Sequence, residues 1–80
     1  MFMRATDVLW RLGGDRVVAR RIGGDGIDLL GPTALVWIAL DSPRASNELC
    51  DDLAEFDIGT EMIEVALQQL LRFELVCRLA

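Results

Sequence analysis

The chain has 80 residues, 52% of them apolar, with 13 acids against 8 arginines for a net charge of −5, and it contains neither lysine nor histidine. A single domain of this size buries only about 60% of the surface of its unfolded chain, which supports one core and leaves little room for a deep substrate pocket. The acidic balance argues against nucleic acid and against an anionic membrane surface, because both are bound mainly by cationic side chains.

The missing histidine removes the commonest general acid–base group and a frequent metal ligand. Cys50 and Cys77 do not form a CxxC pair and cannot complete a zinc shell by themselves. Both are read as small apolar fillers in a reduced, cytoplasmic setting. Met1-Phe2-Met3-Arg4 leads directly into polar residues, with no signal-peptide pattern. No apolar run approaches the ~20 residues that a membrane-spanning helix needs. The expectation is a protein with no metal, no cofactor and no catalytic residue.

Residues 8–12 alternate, with Val8, Trp10 and Leu12 on one side and Leu9 and Arg11 on the other, as a strand does. Gly13-Gly14-Asp15 is a tight turn. Residues 16–22 form a second strand, with Val17 and Ala19 on one face and Val18 and Ile22 on the other. Gly23-Gly24-Asp25-Gly26 turns again, and residues 27–30 alternate as a third strand. Three strands joined by two glycine turns make a meander. Both of its edges carry unpaired N–H and C=O groups.

Pro32 suits the first turn of a helix over residues 32–40. Ala34 to Leu40 is wholly apolar, so this helix is expected to be central and buried, with Trp37 and Trp10 in the core. Asp41-Ser42-Pro43 ends it. A second helix is expected over residues 47–56, capped by Ser46 or a neighbour, with Leu49, Leu53 and Phe56 facing inward. Thr60 is a good N-cap for a third helix over residues 61–73, whose core stripe is Ile63, Ala66, Leu67 and Leu70. Val76 and Leu79 follow as a short tail that packs back.

Strands first and helices afterwards point to an α+β fold. A short turn between the last two helices makes the arrangement winged-helix-like: a three-stranded antiparallel sheet followed by three helices, in one domain over residues 1–80. Charge is uneven. Residues 1–31 hold five Arg and four Asp, whereas residues 32–80 hold three Arg and nine acids. Arg20 and Arg21 are therefore candidates for an acidic partner. A DNA-binding winged helix is disfavoured, because its recognition helix would carry Glu61 and Glu64 against Arg72 alone.

Several blocks occur in a telling order. Leu29 precedes Gly31-Pro32-Thr33 and Ala34-Leu35-Val36-Trp37; Pro43-Arg44 precedes Glu48-Leu49; and Leu70-Leu71 leads to Leu75-Val76. In this the chain resembles the PqqD-like family, the precursor peptide recognition elements of ribosomally synthesised, modified peptides. Leu30 stands where that pattern often has asparagine, and Thr33 where it often has glycine. The resemblance implies a non-catalytic domain that binds the leader segment of a precursor peptide. The leader would add a strand beside the third strand, pack against the third helix, and be presented to a modifying enzyme such as a radical SAM protein, a cyclase or a leader protease.

The residues fit that mode of binding. Strand addition gives affinity through backbone hydrogen bonds, and alternate side chains give selectivity. The candidates on the strand are Ile27, Asp28, Leu29 and Leu30. Ile27 and Leu29 would share a face with the leader, while Asp28 would meet a basic leader residue or guard the edge against aggregation. On the third helix, Met62, Val65, Gln69 and Phe73 form a second stripe beside the core one. The chain could also pair with a copy of itself as a homodimer, or act as a docking subunit with no precursor peptide.

Overall fold

The computed structural model describes residues 1–79. Its main sheet is antiparallel with the order β2-β3-β4, formed by Val8–Gly13, Arg16–Arg21 and Ile27–Leu30. Three helices follow, α1 (Gly31–Ala39), α2 (Ser46–Asp52) and α3 (Thr60–Arg72). This is the α+β order expected. Two short strands, β1 (Phe2–Arg4) and β5 (Val76–Arg78), add a second antiparallel sheet that joins the two ends of the chain. Each has only three residues, too few for alternation to be recognised, so the expected tail after α3 is in fact a paired strand.

The turns follow from backbone sterics. Gly14 between β2 and β3 takes φ +63, and Gly31 takes φ +56, reversing the chain from β4 into α1. A side chain at either position would be strained. Leu30 is the N-cap of α1, and Pro32 sits in its first turn.

Two helix boundaries differ from expectation. Residues 47–56 are not one helix: α2 stops at Asp52, and a 3-10 turn covers Ala54–Phe56. Asp57 then adopts φ 58, which no α-helix can continue. Phe56 is consequently 51% exposed rather than part of the core stripe. The cap of α2 falls on the neighbour of Ser46, and the cap of α3 falls one residue before Thr60. Ala45 and Gly59 occupy those positions, and the Ala45 N–H donates to Glu48 Oε1 at 2.9 Å.

The C-terminus of α3 is closed by Glu74 at φ 59. The Leu75 N–H donates to Leu70 O and the Glu74 N–H to Leu71 O, each at 3.0 Å. This is the paired closure by which helices satisfy their last carbonyls, with Leu75 packing back into the core.

The core lies between the main sheet and the helices. Its fully buried members include Val17 and Leu29 from the sheet, Val36 and Trp37 from α1, Leu49 from α2, and Ile63 and Leu70 from α3. All four expected stripe residues of α3, Ile63, Ala66, Leu67 and Leu70, are buried.

Trp10 corrects the expectation of two core tryptophans. It points to the core side of β2 but is 39% exposed, because α1 covers β3 and β4 and barely reaches β2. Its ring meets Trp37 edge to face, with centroids 6.0 Å apart. The guanidinium of Arg4 lies 4.6 Å from the Trp10 ring and 4.9 Å from the Trp37 ring, and donates to Trp37 O and Ile38 O. Burial lowers the pKa of Arg4 from its ordinary value, opposed by nearby Asp41. One flank of α1 is likewise open, with Ile38 exposed, so this helix is not enclosed on most sides. Cys77 is exposed rather than buried, since the alternation of β5 turns Val76 inward and Cys77 outward.

Candidate functional site

The site follows from which backbone groups of β4 are used. The Ile22 N–H donates to Asp7 O at 2.9 Å, so these two residues form a hydrogen-bonded pair just beyond the strands. Such pairs alternate along antiparallel strands. In the register Leu9↔Arg20 and Arg11↔Val18, residues 16, 18 and 20 of β3 therefore face β2. Val17 and Ala19 face β4, where they meet Leu29 and Ile27. Asp28 and Leu30 consequently turn their backbone groups to the outer margin. Because the N-cap carbonyl of Leu30 heads α1, the groups on offer are the N–H and C=O of Asp28 and the N–H of Leu30. No further strand pairs with β4 among the described residues.

Side chains divide the other way. Ile27 and Leu29 point to the core face, Ile27 half-buried and Leu29 only 2% exposed. Leu29 thus has neither a free backbone group nor an accessible side chain, and its part is to anchor the margin. Asp28 and Leu30 lie on the opposite, uncovered face of the sheet. Asp28 is tied to Arg16 at 3.0 Å, and Arg16 also bonds Asp15, so the carboxylate already has a partner. The two acids, Asp15 first, raise the pKa of Arg16.

Directly after β4, the start of α1 meets α3 along a groove of about 370 Å³. Pro32 and Thr33 form one wall, and Glu61, Met62, Val65, Ala66 and Gln69 the other. The Thr33 hydroxyl donates to Gln69 Oε1 at 2.8 Å and holds the walls in register. Met62 and Val65 are 50% and 58% exposed and give this groove its apolar surface. Three of the four α3 residues singled out from sequence, Met62, Val65 and Gln69, therefore share this groove. Phe73 is exposed beyond the end of α3 and does not line it.

The other flank of α3 borders a larger cleft of about 770 Å³, walled by Phe2 and Arg78 of the β1–β5 ribbon. Glu61, Val65 and Gln69 rim both depressions.

Arg20 and Arg21 separate in the structure. Arg21 donates to Asp7 at 2.8 and 3.0 Å and also bonds Glu74, so its charge is satisfied within the chain and it is not free for an acidic partner. That hydrogen bond from Arg21 is the main cause of a lowered pKa at Asp7. Arg20 is exposed on the uncovered sheet face, with no ion pair among the described residues.

No group of three or more Cys, Asp or Glu residues is placed to hold a metal among the described residues. Among the described residues, no helix is long and apolar enough to cross a membrane.

No protein-family model matches the chain, and no curated protein resembles it in sequence. Among solved structures, it is similar in fold to TbiB1 in complex with the TbiA(beta) leader peptide. The two superpose with a TM-score of 0.78 over 98% of each chain, at 20% sequence identity.

Proposed function

We propose that this chain is a non-catalytic domain of the PqqD-like type that binds the leader segment of a ribosomally synthesised precursor peptide. The leader adds as a strand beside β4. It exchanges hydrogen bonds with Asp28 and with the Leu30 N–H, and sets alternate side chains into the groove between Pro32–Thr33 and Met62, Val65 and Gln69. The bound peptide is then presented to a modifying enzyme.

The observation that carries this reading is the coincidence of a bare sheet margin with an exposed apolar groove directly beside it. A margin alone gives unselective pairing, and a groove alone gives no register. Together they supply the two requirements of strand-addition recognition. The neighbouring fold, solved with a leader peptide, agrees with this.

Titration calorimetry against synthetic peptides from short reading frames beside this gene tests it. Binding with a dissociation constant on the order of micromolar or tighter is expected from at least one of them. If none gives heat, the reading fails in favour of a docking subunit that works without a precursor.

A further inference from the structure

The helices cover one face of the main sheet and leave the other bare. At the centre of the bare face is a block of four side chains from β2 and β3. Leu9 stands opposite Arg20, and Arg11 opposite Val18. The two apolar side chains thus occupy one diagonal and the two cations the other, at about 7–8 Å between diagonal neighbours. A shallow hollow of about 170 Å³ lies among them, rimmed by Trp10. Leu9, and Leu30 on the same face of β4, are each more than half exposed. Six of the eight arginines are accounted for within the chain. Arg4 stacks on two indoles, and Arg78 lies over the ring of Phe2. Arg16, Arg21 and Arg44 have ion-pair partners, and Arg72 sits in the last turn of α3, where the dipole favours it. Arg11 and Arg20 have no ion pair or side-chain hydrogen bond among the described residues. Asp28, beside Val18, is already bonded to Arg16. A molecule of net charge −5 therefore holds its two spare cations together, between apolar groups, on its bare face.

We propose that this face docks an acidic amphipathic helix of the enzyme that takes the leader from this domain. The partner's identity rests on the leader-binding reading; its chemistry rests on the face alone. A helix laid on a sheet is the usual cover for exposed apolar side chains. Two carboxylates four residues apart on a helix have Cβ atoms about 5–6 Å apart, close enough to reach both guanidinium groups. The apolar row beside them then lies over Leu9 and Val18. Guanidinium groups suit carboxylates in particular, because two parallel N–H donors match the two oxygens. Two cations are too few to anchor an anionic membrane or a duplex, each of which is held by several. The face also stays open while the leader is bound. Strands are spaced about 4.8 Å apart, so a guest on β4 lies about 10 Å from β3 and about 14 Å from β2. Leader and enzyme can therefore occupy the domain together.

Calorimetry of the full chain with the purified modifying enzyme encoded beside this gene tests this, with leader affinity measured separately. Wild type is expected to bind the enzyme, and less tightly in 0.5 M salt (roughly a 4 Å screening length). The double variant R11E/R20E should bind the enzyme about tenfold more weakly or worse, because each reversal turns an attraction into a repulsion, and should hold the leader within about twofold of wild type. The double variant R11K/R20K keeps both charges and should retain most of the enzyme affinity. Both positions are exposed, and thermal melts confirm that the variants fold. If the enzyme binds and the reversal breaks it while no leader binds, the docking face stands and the leader reading alone falls. The proposal is overturned if wild type does not bind the enzyme, if R11E/R20E binds it as well as wild type, or if the reversal weakens leader binding to the same extent. It is equally overturned if the reversal instead abolishes self-association of the chain or its retention on phosphatidylserine vesicles, since either gives the face a different occupant.

Discussion

Replacing Asp28 by proline isolates the backbone contribution to peptide binding. Proline removes the outward N–H of Asp28, while Ile27 and Leu29, which face β3, keep theirs. Proline is tolerated on an edge strand when the lost N–H faces solvent, so the sheet should survive. The substitution also removes the carboxylate bonded to Arg16, and Asp28→Ala controls for that loss. The pair is half-exposed on both sides, where ion pairs contribute about 0–1 kcal/mol. Asp28→Ala should therefore bind peptide nearly as well as wild type. Proline additionally deletes one neutral hydrogen bond, worth about 1 kcal/mol, and pushes its ring toward the incoming strand. Relative to the alanine variant, affinity should fall roughly five- to tenfold, since 1.4 kcal/mol is a factor of ten. Calorimetry with one leader peptide and all three proteins measures this, with thermal melts as the control for folding. Equal affinity of the alanine and proline variants would refute strand addition at this margin.

Other substitutions probe separate links in the argument. Val65→Glu should weaken peptide binding at least tenfold and leave the melting temperature within a few degrees, because Val65 is exposed in the groove; a collapse of the fold would show instead that it supports the core. Arg4→Met removes the hydrogen bonds to the last carbonyls of α1 and the contacts with two indole rings, for a loss of about 2 kcal/mol. In a domain of this size that lowers the melting temperature by roughly 10–15 °C, readable by circular dichroism. The pKa of Asp7 is depressed in the folded state by its hydrogen bond from Arg21. Its contribution is thus present above the ordinary carboxylate range and is lost as pH falls through the lowered folded value. Asp7→Asn should therefore be destabilised at pH 7, with the difference from wild type shrinking below about pH 4 in urea titrations.

What could be read in the sequence was what local pattern controls. The alternation of β2, β3 and β4 and the four-residue core stripe of α3 match the structure closely, because each is a repeat long enough to show its period. The β1–β5 ribbon escaped notice because three residues carry no period and the pairing joins opposite ends of the chain. Arg4 was silent for the same reason: it matters through Trp10 and Trp37, and nothing in Phe2-Met3-Arg4 hints at them. Trp10 departs from the expectation because strand alternation reveals the face but not how far the covering helix extends. Phe56 departs from it because the break at Asp57 depends on a left-handed residue that is not glycine. At the site, Met62 and Val65 were visible as apolar residues off the core stripe. The distinction between Leu29 as anchor and Asp28 as open edge required knowing which pairs are hydrogen-bonded.

The same alternation leaves β2 with a margin of its own, and the two edges make different demands on a guest. On β2, the residues facing β3 are Leu9, Arg11 and Gly13, so Val8, Trp10 and Leu12 turn their backbone outward. This margin is longer than that of β4 and carries more exposed apolar surface, including Leu12 at 67%. By edge length alone it would attract an extended chain more strongly. Its helical wall is open only at one end: a hollow of about 310 Å³ lies between Leu12 and Ala34, Leu35 and Ile38 of α1, whereas the space beside Trp10 is filled by Arg4 stacked against both indoles. A guest there would gain hydrogen bonds along the whole strand, but its side chains would meet an open hollow only at the Leu12 end. Leu12→Pro removes an outward N–H from β2 just as Asp28→Pro does from β4, and neither disturbs a ladder bond. If the groove decides the choice of edge, Leu12→Pro leaves leader affinity within about twofold of wild type while Asp28→Pro reduces it. The reverse pattern would move the guest to β2 and show that edge length outweighs the wall.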